Sequence, residues 1–436
     1  MSLAMLQDVA APVVEAAAPA IEVAAENLNP ASAFDQYNVF VQLHAWVIEA
    51  FGPQIAVPSW IVILLGIMIG VGVLVGMCSV LVMFCVWMER KVSGHIQCRY
   101  GPMYAGGWHG WAQSIADGVK LILKEDLIPT LADKPLFWLG PAILMGSVLG
   151  AMVAMPFSYD WWFGEVHLGV FMILAMSSTS TIGVVMAGWA SASKWSLYGA
   201  MREAAQVVAY EIPLGLSLLA PLFVLNTFSL HEASMAQSGW FGMHWAVLQN
   251  WVLIPTFLIF WVAVLAETKR APFDLPEAES ELVAGFLTEY SGIRWSFFFF
   301  EEYVAMFLMS VLGSFFFFGG FESPATAILR GMEMEGSILF NLVCFGTLLV
   351  KAFVGLFLMM WLRWTLPRVR IDQVMTMGYK YLTPLALACV LAAATVEAIK
   401  FKLFASNEDD TTSSVEVVVD EPLAHAETQF LLPEGD

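Results

Sequence analysis

The sequence predicts an all-α polytopic membrane protein: eight transmembrane helices, one amphipathic surface helix, and both termini on the outer, periplasmic side. Three observations carry this. Apolar runs of about 20 residues recur along the 436-residue chain, each long enough to cross a hydrocarbon core. The chain is 59% hydrophobic and only 13% charged, well below the roughly 25% charged share of a soluble domain. The basic residues fall in alternate connections. The strict alternation of a membrane β-barrel strand is absent.

The spans are read at 59–88, 136–156, 167–190, 204–226, 251–267, 296–319, 337–362 and 381–404. The first connection, 89–135, carries Arg90, Lys91, Arg99, Lys120, Lys124 and Lys134. The third carries Lys194 and Arg202. The fifth, 268–295, carries Lys269, Arg270 and Arg294, and the seventh carries Arg363, Arg368, Arg370 and Lys380. The even connections hold one basic residue, Arg330. The positive-inside rule then places the odd connections in the cytoplasm. The second connection reads SYDWWFGEVH, where Trp161 and Trp162 are expected as interfacial anchors.

The net charge of −19 belongs largely to the ends. Residues 1–58 and 403–436 hold six and nine acids and no Lys or Arg, which leaves 23 acids against 19 bases in the membrane body. Three regions follow: an acidic, weakly ordered extension over 1–58 with a short surface helix near 39–51, a membrane domain over 59–404, and an acidic disordered tail over 405–436. The extension lacks the basic start of a signal peptide and the Arg of a transit peptide. Cys78, Cys85, Cys98, Cys344 and Cys389 form no metal-type or redox-type pair, and no Gly-rich nucleotide loop occurs. The chain is therefore expected to bind no metal or covalent cofactor, and any electrons would be carried by a partner. No basic stretch suggests nucleic acid.

The carboxylates stand out against this background. Ionisable groups in or near a bilayer are expensive and usually functional. The fifth connection reads ETKRAPFDLPEAESELVAGFLTE and holds Glu267, Asp274, Glu277, Glu279, Glu281 and Glu289. Its interleaved Phe273, Leu275, Leu282, Val283, Phe286 and Leu287 indicate that it packs. Glu277 and Glu281, one turn apart, are placed to share a helix face, and like charges that close make at least one hold its proton more readily. Glu203 and Glu211 enter span four, with Glu211 roughly 12 Å deeper along a helix and Pro213 freeing a carbonyl beside it. Glu301 and Glu302 enter span six. Lys351 sits mid-span in the seventh and is expected to face the bundle and pair with a carboxylate. In the first connection, Trp108–Lys124 interleaves Trp111, Ile115, Val119, Leu121 and Ile122 with Asp117, Lys120 and Lys124, an amphipathic helix for the membrane surface.

Five motifs then become specific: ERKVSGHIQCRYGP, ADGVKLILKED, SLYGAMREAAQVVAYEIPLG, AETKRAPFDLPEAESELVAGFLTEYSG and LRWTLPRVRIDQ. Together, in order over about residues 60–400, they resemble the H-subunit family of respiratory complex I. The pattern departs from the family at Met103, which follows Pro102 where Asn is usual.

The resemblance implies a role in a multi-pass subunit of a bacterial inner membrane. The family lines a chamber in which a lipid quinone, the substrate, is reduced by electrons from an iron–sulfur cluster in a partner. NADH, FMN and the clusters would all sit in partner subunits. The partners implied are the peripheral quinone-module subunits and small membrane subunits next to an antiporter-like chain, together with membrane lipids. Glu211, Glu267 and Glu302 match the family's intramembrane glutamates, and Asp274, Glu277, Glu279 and Glu281 its acidic loop, all in proton coupling. Arg90, Arg99, Asp117, Arg202 and Arg270 match polar positions of the quinone chamber. Two alternatives remain at this stage: the homologous membrane subunit of a proton-coupled hydrogenase or other-donor dehydrogenase, and a stand-alone ion/proton antiporter. The antiporter would often carry an internal repeat of broken helices, which is not found.

Overall fold

The computed structural model describes residues 59–164, 166–276 and 279–416. The extension over 1–58 with its expected surface helix, the residues after 416, and Glu277 lie outside the described residues. Apart from one isolated bridge between Pro156 and Trp162, every regular element among the described residues is helical. In chain order these include α1 (Ser59–Ile96), α2 (Gln113–Leu123), α3 (Lys134–Val153), α4 (Gly169–Ala190), α5 (Lys194–Leu225), α6 (Leu253–Glu267), α7 (Gly292–Phe317), α8 (Pro324–Gly331), α9 (Ile338–Thr365) and α10 (Thr383–Glu416). Among the described residues, seven helices are long and apolar enough to cross a membrane, and α6, with 15 residues, is a shorter apolar helix.

Helix ends differ from the apolar runs because hydropathy marks only the lipid-facing part of a helix. The polar turns ERKVSGHI and KWSLYGAMRE keep their backbone bonds, so α1 continues to Ile96 and α5 begins at Lys194. Glu203 therefore lies roughly 14 Å inside α5 rather than at its start. α10 likewise runs to Glu416, into the segment expected as a tail. Local signals set other ends. Ser323 and Thr326 form a capping box at α8, and the Ser337 side chain accepts from Phe340 N–H to start α9.

Close helix packing rests on small residues. A Cβ on Gly183 of α4 would sit 2.9 Å from Leu144 of α3, and one on Gly140 3.1 Å from Ala187. Gly199 does the same for the acidic connection: its Cβ would lie 2.7 Å from Gly285 Cα and Phe286 N, so the connection lies directly on α5. There Phe286, Leu287 and Tyr290 join Phe137, Leu144, Val184 and Ala200 in a second core, with Tyr290 stacked on Phe137 at 4.1 Å. Phe273 and Leu275 enter the main core. The expectation that this connection packs holds for these residues, whereas Val283 is exposed with a left-handed backbone.

Two further expectations change. Trp162 is not an exposed anchor; it is buried beside His231, with ring centroids 5.7 Å apart. Among the described residues Lys351 makes no ion pair with a carboxylate within contact distance, although the charge of Glu322 acts on it. Its Nζ donates to the carbonyls of Phe318, Gly320 and Glu322 at 2.7, 2.8 and 2.6 Å. α7 ends at Phe317, and the carbonyls of the turn that follows have no helical partners; an ammonium with three donors answers three of them.

Two outcomes follow. Lys351→Met strands buried acceptors that cost about 1–3 kcal/mol each, so the variant should lower the thermal midpoint of the purified assembly, read by differential scanning fluorimetry. Gly199→Val forces apart two backbones and should destabilise by about 1–3 kcal/mol, with faster proteolysis within 276–290 than in the parent.

Candidate functional site: a buried carboxylate and cation belt

The site begins with the way α6 stops. Thr268 N–H and Thr268 Oγ1 both return to Val264 O, at 2.9 Å each. Lys269 then turns left-handed, φ 56°, and Arg270 N–H bonds to Leu265 O. This reversal sends two successive cations in different directions into the bundle. Gln206 of α5 holds the turn in place by donating to Ala266 O and Phe273 O, both at 2.8 Å.

On one side, Lys269 Nζ lies 2.5 Å from Glu203 of α5 and 3.5 Å from Glu301 of α7. Glu203 has no exposed surface and Lys269 only 11% of its side chain. On the other side, Arg270 lies 2.7 Å from Glu302 and 3.3 Å from Glu89 near the C-terminal end of α1. Its guanidinium also stacks 4.6 Å above the Tyr303 ring. Glu89 is the most heavily engaged acid: Arg363 of α9 reaches it at 2.6 Å and Tyr303 donates to it at 2.6 Å. Consecutive residues Glu301 and Glu302 serve different cations because successive helix positions turn by about 100°.

Glu267, the last residue of α6, is buried. Its charged surroundings are Glu211, Lys269, Glu301 and Glu203, and its Oε2 has no hydrogen-bond partner among the described residues. Glu211, two turns beyond Glu203, is half-buried. The carboxylates Glu89, Glu203, Glu267, Glu301 and Glu302 thus outnumber Lys269, Arg270 and Arg363. A buried excess of negative charge is unfavourable unless protons are taken up. Lys269 lies outside the helices: burial opposes its charged form, yet Glu203, Glu301 and Glu302 outweigh that and hold it above the usual lysine value. Arg270 is raised in the same way, burial being outweighed by Glu302 and Glu89.

The other expected residues lie outside the belt, at its rim. Arg90 pairs with Asp117 at 2.5 Å, which fixes α2 across the end of α1. Trp111, Ile115, Val119 and Ile122 stay exposed along α2 and the turn before it. Arg202 pairs with Glu281 at 2.5 Å, and Asp274 with Arg368 at 3.2 Å. Arg99 is exposed on the connection after α1. Glu279 opens a short helix, Glu279–Leu282. Of the acids and cations singled out from sequence, Glu203, Glu267, Arg270, Glu301 and Glu302 come together in the belt, with Glu211 close by. Arg90, Asp117, Arg202, Asp274 and Glu281 form separate rim pairs. Missing from the expected set were Glu89, Lys269, Tyr303 and Arg363. Their signal was weak: an acid closing an apolar run, a Lys-Arg pair following one, and the triplet Glu301-Glu302-Tyr303.

Comparison with known proteins identifies the family. Residues 69–394 match the family described as NADH dehydrogenase. Among curated relatives, the H subunit of NADH-quinone oxidoreductase from Chlorobaculum parvum is 44% identical over 313 residues, covering 71% of this chain and 87% of the relative. The protein of that name from Chlorobaculum tepidum is 42% identical over 310 residues, covering 71% and 86%. That from Anaeromyxobacter dehalogenans is 40% identical over 331 residues, covering 73% and 79%. A buried ionic belt in a helical membrane bundle, a family match over most of the bundle and these identities lead to one conclusion: the chain belongs to the NADH dehydrogenase family and is a homologue of the H subunit of NADH-quinone oxidoreductase.

Proposed function

We propose that this chain is the quinone-chamber subunit of a proton-pumping NADH:quinone oxidoreductase and couples quinone reduction to proton movement through its buried glutamates. The observation that carries the reading is the belt, in which acids from α1, α5, α6 and α7 share too few cations within one buried volume. Such a group responds to a change of charge at its edge by taking up or releasing protons. The chain binds no metal or covalent cofactor in this reading. NADH, FMN and iron–sulfur clusters belong to partner subunits, and the quinone is a substrate.

The helices are read as eight spans in a bacterial inner membrane, with α6 as the shortest and both termini outside. Fifteen residues rise roughly 22 Å against a hydrocarbon core of about 30 Å. The turn that carries Lys269 and Arg270 then sits below the cytoplasmic surface, where charge interacts strongly. α2, packed on α1 and α7, lies at the membrane surface with its apolar residues toward lipid and borders the quinone entrance. The rim pairs Arg90–Asp117, Arg202–Glu281 and Asp274–Arg368 face the peripheral quinone-module subunits. Small membrane subunits next to the antiporter-like chain receive the relay. Arg99 lies on the chamber side.

The sequence of events has three steps. Reduction of quinone at the partner-lined end changes the charge in the chamber. The acidic connection, through Asp274, Glu277, Glu279 and Glu281, responds by moving or by changing protonation. Glu302, Glu267 and Glu211, joined by water, pass that change outward as a proton shift.

Glu211→Gln, Glu267→Gln and Glu302→Gln should each lower quinone reduction and proton pumping by about 10-fold or more, in the range of lost acid–base function. The measurements are NADH-driven quinone reduction and dye quenching in inverted vesicles. Undiminished rates in all three would overturn the reading. Arg270→Met leaves Glu89 and Glu302 without their shared cation and should cost about 3–5 kcal/mol, seen as loss of the assembled complex on native gels.

A further inference from the structure

Lys269 carries its ammonium into a buried site, its side chain only 11% exposed. It adopts a left-handed backbone, φ 56°, a conformation that a residue with a side chain enters only at a cost. Its ammonium faces two buried carboxylates on two different helices, Glu203 on α5 and Glu301 on α7, at 2.5 and 3.5 Å. Resting on the proton-coupling reading above, we propose that Lys269 is a positioning residue whose single charge is shared between Glu203 and Glu301 and sets how many protons this end of the belt holds.

The groups that face it come from every neighbouring element. α5 supplies Glu203 and, farther along, Glu211. α6 supplies Glu267, and α7 supplies Glu301 and Glu302. Arg270 is adjacent in sequence but is engaged with Glu302 and Glu89, and Arg363 is engaged with Glu89. Lys269 is therefore the cation that contacts Glu203 and Glu301 among the described residues.

Two ionised carboxylates beside one ammonium leave a net negative charge in a buried site, and one bound proton makes the trio neutral. With that proton on Glu301, the ammonium stays against Glu203. With it on Glu203, the ammonium turns to Glu301 by rotating about its own side-chain bonds. Lys269 keeps its proton in both states, because the surrounding acids hold it above the usual lysine value despite burial. Its role is to position charge, and the titrating groups are the carboxyls.

The test uses the assembled complex in inverted vesicles and the pH profile of NADH-driven quinone reduction. A cation this close shifts a carboxyl by about 1–3 pH units. In Lys269→Met the carboxyls keep their protons to higher pH, so the acid limb should move up by about 1 unit or more. Glu301→Gln removes the competing anion, leaves the ammonium wholly with Glu203, and should move the limb down. Lys269→Arg retains the charge and should return the limb toward the parent position. Opposite shifts in the first two variants with recovery in the third support the proposal, since a purely structural lysine would give no such signs. A superimposable profile in Lys269→Met overturns it. If that variant does not assemble, an unmoved limb in Glu301→Gln overturns it instead. Loss of pumping in Glu302→Gln beside an unmoved Lys269→Met profile would remove this inference alone. Retained pumping in Glu211→Gln, Glu267→Gln and Glu302→Gln would remove the reading beneath it.

Discussion

The structure depends on how α6 ends. A left-handed residue at position 269 lets two adjacent cations diverge, Lys269 toward α5 and α7, Arg270 toward α1 and α7. Without that reversal, consecutive side chains of a continuing helix would point only about 100° apart and travel away from the bundle centre. The turn is held by hydrogen bonds from Thr268, Arg270 and Gln206. Its geometry is thus specified by backbone bonding before any charge is considered.

Burying these charges is expensive, and the surrounding structure repays it through density of partners. Glu89 meets two guanidinium groups and a phenol. Arg270 meets two carboxylates and an aromatic face. Ion pairs of this kind contribute little net stability, but removal of one member exposes the full desolvation penalty of the other. The belt therefore acts as a registration device: it ties α1, α5, α6, α7 and α9 to one another. At the opposite end of α7, Lys351 performs a simpler task. It satisfies carbonyls at a helix terminus and takes no part in the belt.

The acidic connection shows why apolar and acidic residues alternate there. Phe286, Leu287 and Tyr290 anchor it in the core between α3, α4 and α5, and Gly199 permits the contact. The acids Asp274 and Glu281 then sit at the rim, each in reach of an arginine from another element.

Hydropathy and loop charge were enough to specify a helical membrane bundle, because the bilayer penalises unsatisfied backbone and misplaced cations strongly and locally. The amphipathic pattern around Ile115 and Val119 was legible for the same reason, as were Glu267, Arg270 and Glu302 as candidates through the acids and the family motifs. Depth and partnership were not legible. The sequence placed Glu203 near a helix start and Lys351 beside some carboxylate; the fold buried the first against Lys269 and gave the second to three carbonyls. The partners of Glu89 come from positions 270, 303 and 363, separations that no local period encodes. Which charge meets which was decided by the packing of helices distant in the chain, since Coulomb attraction between side chains depends on distances in space that only the assembled bundle defines.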